Sequence, residues 1–278
     1  MNTTVIAHFY NEEYLLPWWL KHHQKLFENG ILIDYNSTDR SVEIINDLAP
    51  NWKVVNSKNT MFGAADADKE VMEYEASIEG YKMSLNITEF FFPYCSIEHL
   101  DREIEEIVKN VNNIPTQYHS GVRTYGVMMI DNDPSVIPSY NDSLIKQKHH
   151  GAISGYDAFD DGMKALQPDY FKIYGRFIHK EVNGNYHAGR HYSGNNFQNK
   201  FDIFTLKYKF APWNETTIKR MQQFKDKIPS GDLATNAGSQ HTQSEEEYLN
   251  RYKHAFQYVS DLTLDKNFSR CYDYCMSL

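Results

Sequence analysis

The chain has 278 residues, 41% of them hydrophobic and 14% aromatic, enough for a sizeable core and too much for an intrinsically disordered chain. Its net charge of −9 argues against a general DNA or RNA binder, which carries a basic stripe, and against attachment to anionic membranes by bulk charge. Three cysteines, Cys95, Cys271 and Cys275, cannot close a disulfide framework and point to a reducing, cytoplasmic compartment.

Thr3 to Phe9 is a short β-rich run. Asn11-Glu12-Glu13 reads as a helix start, with Asn as cap and acids at the positive end of the dipole. Leu15, Leu16, Trp19, His23, Leu26 and Phe27 follow at helical spacing, and Gly30 is expected to stop that helix. Ile31 to Ile33 is a second strand ending at Asp34. Ser37-Thr38-Asp39 caps a helix with Val42, Ile44, Ile45 and Leu48 inside, and Trp52 to Val55 forms a third strand. Residues 66–79 are acidic and helical, and Tyr81 to Leu85 is a fourth strand. Ile97 to Val111 has helical periodicity, and Gly126 to Ile130 is a strand. Residues 131–169 read as long loops. β signals return at Tyr170 to Ile178 and Ile203 to Phe210, around a Gly-, Asn- and His-rich loop over 183–199. Helices over 213–227 and 244–258 close the chain.

The strand–helix alternation predicts an α/β fold, a mostly parallel central sheet flanked by helices with a helical C-terminal segment. No repeat or linker divides the chain, so a single domain over 1–278 is expected. No apolar run approaches the roughly 20 residues of a membrane helix, and Met1 to Phe9 lacks the features of a targeting segment. Cys271 and Cys275 could share a helix face, but no third ligand at suitable spacing completes a metal set, and they read as ordinary thiols.

In open α/β sheets ligands bind beyond the carboxyl ends of the strands. The first strand is followed by Tyr10-Asn11-Glu12-Glu13, the second by Asp34 to Asp39, the fourth by Asn86-Ile87-Thr88-Glu89, and a later one by Asp131-Asn132-Asp133. Polar groups therefore cluster at one sheet edge. The runs His8 to Trp19 and Leu32 to Ser41, with the His22-His23 pair, together resemble the opening of family-2-like glycosyltransferases of the GT-A fold. They are most similar to a small branch with an "RNE…hH" start, a "D.gStDgS" second loop and a D-x-D-E-F segment. Matches cover about the first 95 residues and are scattered after 170, at Lys207 to Glu215 among others.

The resemblance implies a Rossmann-like sheet and transfer of a sugar from a nucleotide-diphosphate sugar to a hydroxyl acceptor, whether glycan, lipid-linked or protein. Residues 1–95 would be the nucleotide-binding half and 96–278 the acceptor side. Tyr10, Asn11, Glu12, Asp34, Asn36 and Asp39 would hold the donor, since carboxylates and amides accept from base imide and ribose hydroxyl groups. The family's D-x-D holds Mn²⁺ or Mg²⁺, but here Asn86 and Thr88 stand at the two Asp positions, followed by Glu89. A hard cation prefers charged oxygens, so metal affinity should be weakened. Asn86, Thr88, Glu89 and His187 are the candidate metal ligands. His191 and the Asp131–Asp133 run are further possibilities. Arg190, Lys207 and Lys209 are candidates for the diphosphate. Glu89, Asp157, Asp160 and Asp161 could activate an acceptor hydroxyl. A catalytically impaired carbohydrate or nucleotide-sugar binder on the same fold is the alternative. A nucleotidyltransferase is disfavoured, because no Gly-rich loop follows the first strand.

Overall fold

The computed structural model of the protein describes residues 1–111, 120–153, 175–234, 238 and 241–278. Strand β1 (Thr3–Phe9) is buried along its whole length. It pairs in parallel with β2 (Asn29–Asp34) on one side and β4 (Tyr81–Asn86) on the other, and β2 pairs in parallel with β3 (Lys53–Asn56). The helices α1 (Leu16–His23), α2 (Ser41–Leu48) and α3 (Ala64–Ala76) make the crossovers. β1 and β4 are buried along nearly their whole length, the polar Lys82 and Ser84 included, as a sheet covered on both faces requires.

Beyond β4 the sheet turns antiparallel. β8 (Phe177–His179) and β6 (Gly121–Ile130) come next, then β7 (His150–Ile153) and β10 (Ser260–Asp261). The long β9 (Gln198–Phe210) lies parallel to β6 and antiparallel to the short β5 (Glu89–Phe92). On one face Trp19 and Leu20 of α1 pack toward Phe90 and Phe91 of β5. Phe268, Cys271 and Cys275 of the last helix α9 (Lys266–Ser277) join Phe92 and Phe204 in the same core. On the other face Ala67 and Val71 of α3 cover Ile6, Ile33 and Tyr35. Each fully buried side chain of this size contributes roughly 1.5–3 kcal/mol.

Several local expectations shift. The helix read from Asn11 begins at Leu16, because Asn11 sits in the left-handed region (φ 52°) and its side chain serves the neighbouring loop. Gly30 does not end that helix. It lies inside β2 beneath the Trp52 ring, where a Cβ would come within 2.3 Å of the indole. β5, α5 (Leu144–Gln147), β7, α7 (Ser230–Ala234) and α9 arise where loops or nothing regular were expected. The helices read over 213–227 and 244–258 are α6 (Glu215–Gln222), capped by Asn214, and α8 (Glu245–Phe256), opened by a Ser244–Glu247 capping box. Helix α4 runs over Ile97–Val111 as its periodicity predicts. The 170–174 part of the expected strand lies outside the described residues. No helix among the described residues is long and apolar enough to cross a membrane.

Candidate functional site

Beyond the carboxyl ends of β1 and β4 lies a cavity of about 220 Å³. His8 and Asn86, near those strand ends, form part of its floor, with Ile87 and Thr88 of the β4–β5 turn. Lys207 and Lys209 enter from alternate positions of β9, which point to one face of a strand. Arg176 precedes β8. Arg190 and His191 come from the 183–199 loop. Glu12 follows β1, Asp68 sits on α3, and Arg220, Met221, Phe224 and His241 come from the C-terminal part of the chain.

Charge pairing organises this pocket. Glu89 stands just behind it, 1% exposed, and the Arg176 guanidinium donates to both its oxygens (Nε to Oε2 2.8 Å, Nη2 to Oε1 2.6 Å). The Lys207 ammonium lies 3.6 Å from Oε1, and the Asn86 backbone N–H donates to Oε2 at 2.8 Å. Burial alone would raise the Glu89 pKa, but the Arg176 and Lys207 charges outweigh it and hold the carboxyl well below its ordinary range. A carboxylate held that way is a weak base and a firm anchor.

Arg190 adopts φ 55°, an uncommon region for a side-chain-bearing residue, directly after Gly189 at φ 81°. Three contacts with Asp68 of α3 hold this turn: Gly189 N–H (2.6 Å) and Arg190 N–H (3.3 Å) donate to Oδ2, and Arg190 Nη1 donates to Oδ1 (2.8 Å). The guanidinium then reaches Asn86 Oδ1 through Nη2 at 2.7 Å. The same Nη2 lies 3.4 Å from His8 Nε2. Arginine only donates, so that ring nitrogen accepts and the neutral imidazole carries its proton on Nδ1. Burial and the Arg190 charge hold the His8 pKa well below the usual value. On the opposite wall Arg220 Nη1 donates to both oxygens of Glu12 (3.1 and 3.3 Å), whose pKa burial raises against the Arg220 charge.

Five cationic side chains line the pocket, against the carboxylates of Glu12, Asp68 and the adjacent Glu89. Lys209 has no carboxylate within ion-pair distance among the described residues. Burial and the charges of Lys207, Arg251 and Arg220 push its pKa down to about 7. His8 Nδ1, Arg190 Nε and Arg220 Nε are buried without a hydrogen-bond partner among the described residues. Buried polar groups are normally satisfied, so these three atoms are exceptions among the described residues. A wall of Phe62, Ala64, Ala67, Met221 and Phe224 supplies the apolar side.

Of the residues singled out from sequence, Glu12, Asn86, Thr88, Arg190, Lys207 and Lys209 meet in this pocket. Tyr10, Asn11, Asp34, Asn36 and Asp39 are not on its lining. Of these, Asn11 and Asp39 tie the β1–α1 and β2–α2 loops together. Asn11 Oδ1 accepts from Thr38 N–H (2.7 Å), Asp39 accepts from Glu13 N–H (3.0 Å) and Ser41 N–H (2.9 Å), and Asp34 Oδ1 from Ser37 N–H (2.9 Å). Tyr10 carries the Lys227 ammonium over its ring at 4.0 Å, and Asn36 holds a positive φ of 61°. His187 is exposed and off the lining, whereas His191 is on it. Asp157, Asp160 and Asp161 lie outside the described residues. The Asp131–Asp133 run is a turn, in which Asp131 binds Lys148 at 2.7 Å and Asp133 binds Ser135.

The metal expectation meets a clear test of chemistry. Asn86 offers a neutral carbonyl already taken by a guanidinium, Thr88 a hydroxyl, and Glu89 two oxygens taken by Arg176. A hard divalent ion wants several charged oxygens and no crowd of cations. This donor set fits such an ion poorly. Sequence reasoning missed Asp68, Arg176, Arg220, Phe62, Phe224 and His241, none of which carries a local pattern.

No family model matches the chain, and no curated protein sequence matches it. Among solved structures, it is similar to S. aureus TarS 1–349 in complex with UDP-GlcNAc, at 12% identity and a TM-score of 0.42, over 98% of this chain and 79% of that one. It is also similar to S. aureus TarS 1–349, at 18% identity and a TM-score of 0.33, over 50% of this chain and 39% of that one. A third is glucosyl-3-phosphoglycerate synthase from Mycobacterium tuberculosis in complex with Mn²⁺, UDP and glucosyl-3-phosphoglycerate, at 12% identity and a TM-score of 0.28. That match covers 45% of this chain and 44% of that one. The chain thus spans less than half the length of the latter two, and at these scores the likenesses fix no activity.

Proposed function

We propose that the protein is a GT-A-type glycosyltransferase that binds a nucleotide-diphosphate sugar with arginine and lysine side chains in place of a divalent ion. The observation that carries this reading is the surplus of positive charge beyond the ends of β1 and β4, with no carboxylate within ion-pair distance of Lys209 among the described residues. A diphosphate supplies many acceptor oxygens and compensating charge. Arg190, Lys207, Lys209 and Arg220 would take the diphosphate, and the Phe62–Phe224 wall is the surface available to a base. Glu12 would accept from a donor hydroxyl. Guanidinium and ammonium groups fixed before the leaving diphosphate departs would stabilise its charge without reorganising. Glu89 and Arg176 would position Asn86 and Lys207 instead of moving protons.

A non-catalytic nucleotide-sugar binder is the second reading, favoured by one feature. Each carboxylate in or beside the pocket, among the described residues, is already ion-paired: Glu12 with Arg220, Asp68 with Arg190 and Glu89 with Arg176. Donor turnover separates the two. With EDTA present, the transferase reading expects release of nucleoside diphosphate from a nucleotide sugar above background, cut at least tenfold in Lys207→Met. Tight binding with no release under any acceptor would leave the binder.

A further inference from the structure

We infer that His149, His150 and Asp261 form a binding site for one zinc-class divalent ion at the sheet edge, separate from the pocket. Their ligand atoms all lie within 4.8 Å of one another. The fold sets this up. β7 and β10 pair antiparallel with His150 directly opposite Asp261, and Leu262 N–H donates to the His149 carbonyl at 3.3 Å. The two strands therefore hold the carboxylate against both imidazoles.

The orientation of His149 adds a second, independent observation. Its Nδ1 lies 3.1 Å from the Lys146 carbonyl. A carbonyl only accepts, so Nδ1 carries the proton and the neutral ring presents its Nε2 lone pair. That Nε2 lies 3.6 Å from Asp261 Oδ1. A histidine whose far nitrogen donates to a backbone carbonyl has the tautomer and orientation that metal-bound histidines need. The Asp261 Oδ1 caps Thr263 (N–H 3.0 Å, hydroxyl 2.7 Å), which orients the carboxylate further.

No neighbouring ammonium competes among the described residues. Lys146 is engaged by Asp142 at 2.9 Å and Lys148 by Asp131 at 2.7 Å. The other candidate cluster, Cys95, His99 and Glu103, lacks this freedom: Lys200 sits 2.9 Å from Glu103, and the Tyr94 hydroxyl also donates to it. Two imidazoles and one carboxylate suit Zn²⁺, Co²⁺ or Ni²⁺ rather than Mg²⁺ or Ca²⁺. Tetrahedral coordination puts ligand atoms about 3.3 Å apart, which small side-chain rotations reach from here. All three residues are partly exposed, so an ion can enter and a water can complete the shell. The ion would staple the two-residue strand β10 to β7, fixing the approach to α9. Between this edge and β4 stand β6 and β8, so the proposal does not rest on the reading of the pocket.

The test is calorimetric titration of Zn²⁺ into the full chain near pH 7.5, with Co²⁺ absorption as the spectroscopic counterpart. One ion per chain is expected, with the intense visible bands of low-coordinate cobalt and a higher Tm. His149→Ala and His150→Ala should each abolish this binding, and His99→Ala should leave it unchanged. Asp261→Asn keeps an oxygen to cap Thr263 but removes the charge, and should weaken affinity about tenfold or more. Circular dichroism confirms that each variant is folded. No binding by the parent chain would overturn the proposal. So would a site that survives both histidine substitutions or disappears with His99→Ala.

Discussion

Lys209 is the residue on which the chemistry of the pocket turns. Its side chain enters the cavity beside Lys207, and with no carboxylate near it among the described residues its pKa falls to about 7. In the unfolded chain the same ammonium titrates near 10.4. Between those values the free folded protein binds fewer protons than the unfolded one, so the cost this group imposes on folding is full below about pH 7 and fades as pH rises toward the unfolded value. A bound diphosphate reverses the balance by restoring the charge, and binding above pH 7 therefore takes up a proton. Affinity for a nucleotide sugar, whose diphosphate diester does not itself titrate there, should fall between pH 7 and 9, by up to about tenfold per unit. Titrations across that range should show the slope in the parent chain and a flat profile in Lys209→Met. An equal slope in both would remove Lys209 from the diphosphate site.

At the scale of elements, the two loops after β1 and β2 act as one unit. Asn11 serves Thr38, Ser37 accepts from Asn11 N–H, and Asp39 serves Glu13 and Ser41. Asp39→Ala removes the acceptor for two backbone donors, one in each loop. It should cost about 1–2 kcal/mol of stability, read from chemical denaturation, because orphaned backbone donors at a helix start are expensive. A change under about 0.3 kcal/mol would mean that solvent replaces the carboxylate freely. These loops were legible in the sequence because βαβ units are local: β1, β2 and β4, with Asp34 and Asn86 at their ends, follow from periodicity and turn residues within the first third. The helix start at Asn11 was misread because an Asn in the left-handed region and an Asn cap share the same local signature. Gly30 was misread because its neighbour, Trp52, is 22 positions away. The aromatic run Phe90 to Phe92 gave no sign of being β5, whose partner β9 comes more than a hundred residues later.

Across the whole molecule, the pocket is assembled by contacts no local pattern encodes. Arg176 meets Glu89 across 87 positions, Arg190 meets Asn86 across 104, and Arg220 meets Glu12 across 208. The sequence therefore pointed to part of the pocket lining, the strand-end residues and the lysines of β9. It also pointed to Arg190 as a diphosphate candidate but concealed Arg176 and Arg220, and it did not show that Arg190 and Arg176 occupy oxygens a metal would use. Those arginines satisfy Asn86 and Glu89, two of the residues that a divalent ion would require. The central claim, a nucleotide-sugar site that works without such an ion, is tested most directly by thermal unfolding against a panel of nucleotide sugars. Each is compared with ligand-free protein in the same buffer, once with Mn²⁺ and once with EDTA. The account predicts a rise in Tm with at least one nucleotide sugar, equal in both buffers and corresponding to about 2.7 kcal/mol at a hundred times the dissociation constant. A rise that needs Mn²⁺ and vanishes with EDTA would contradict it.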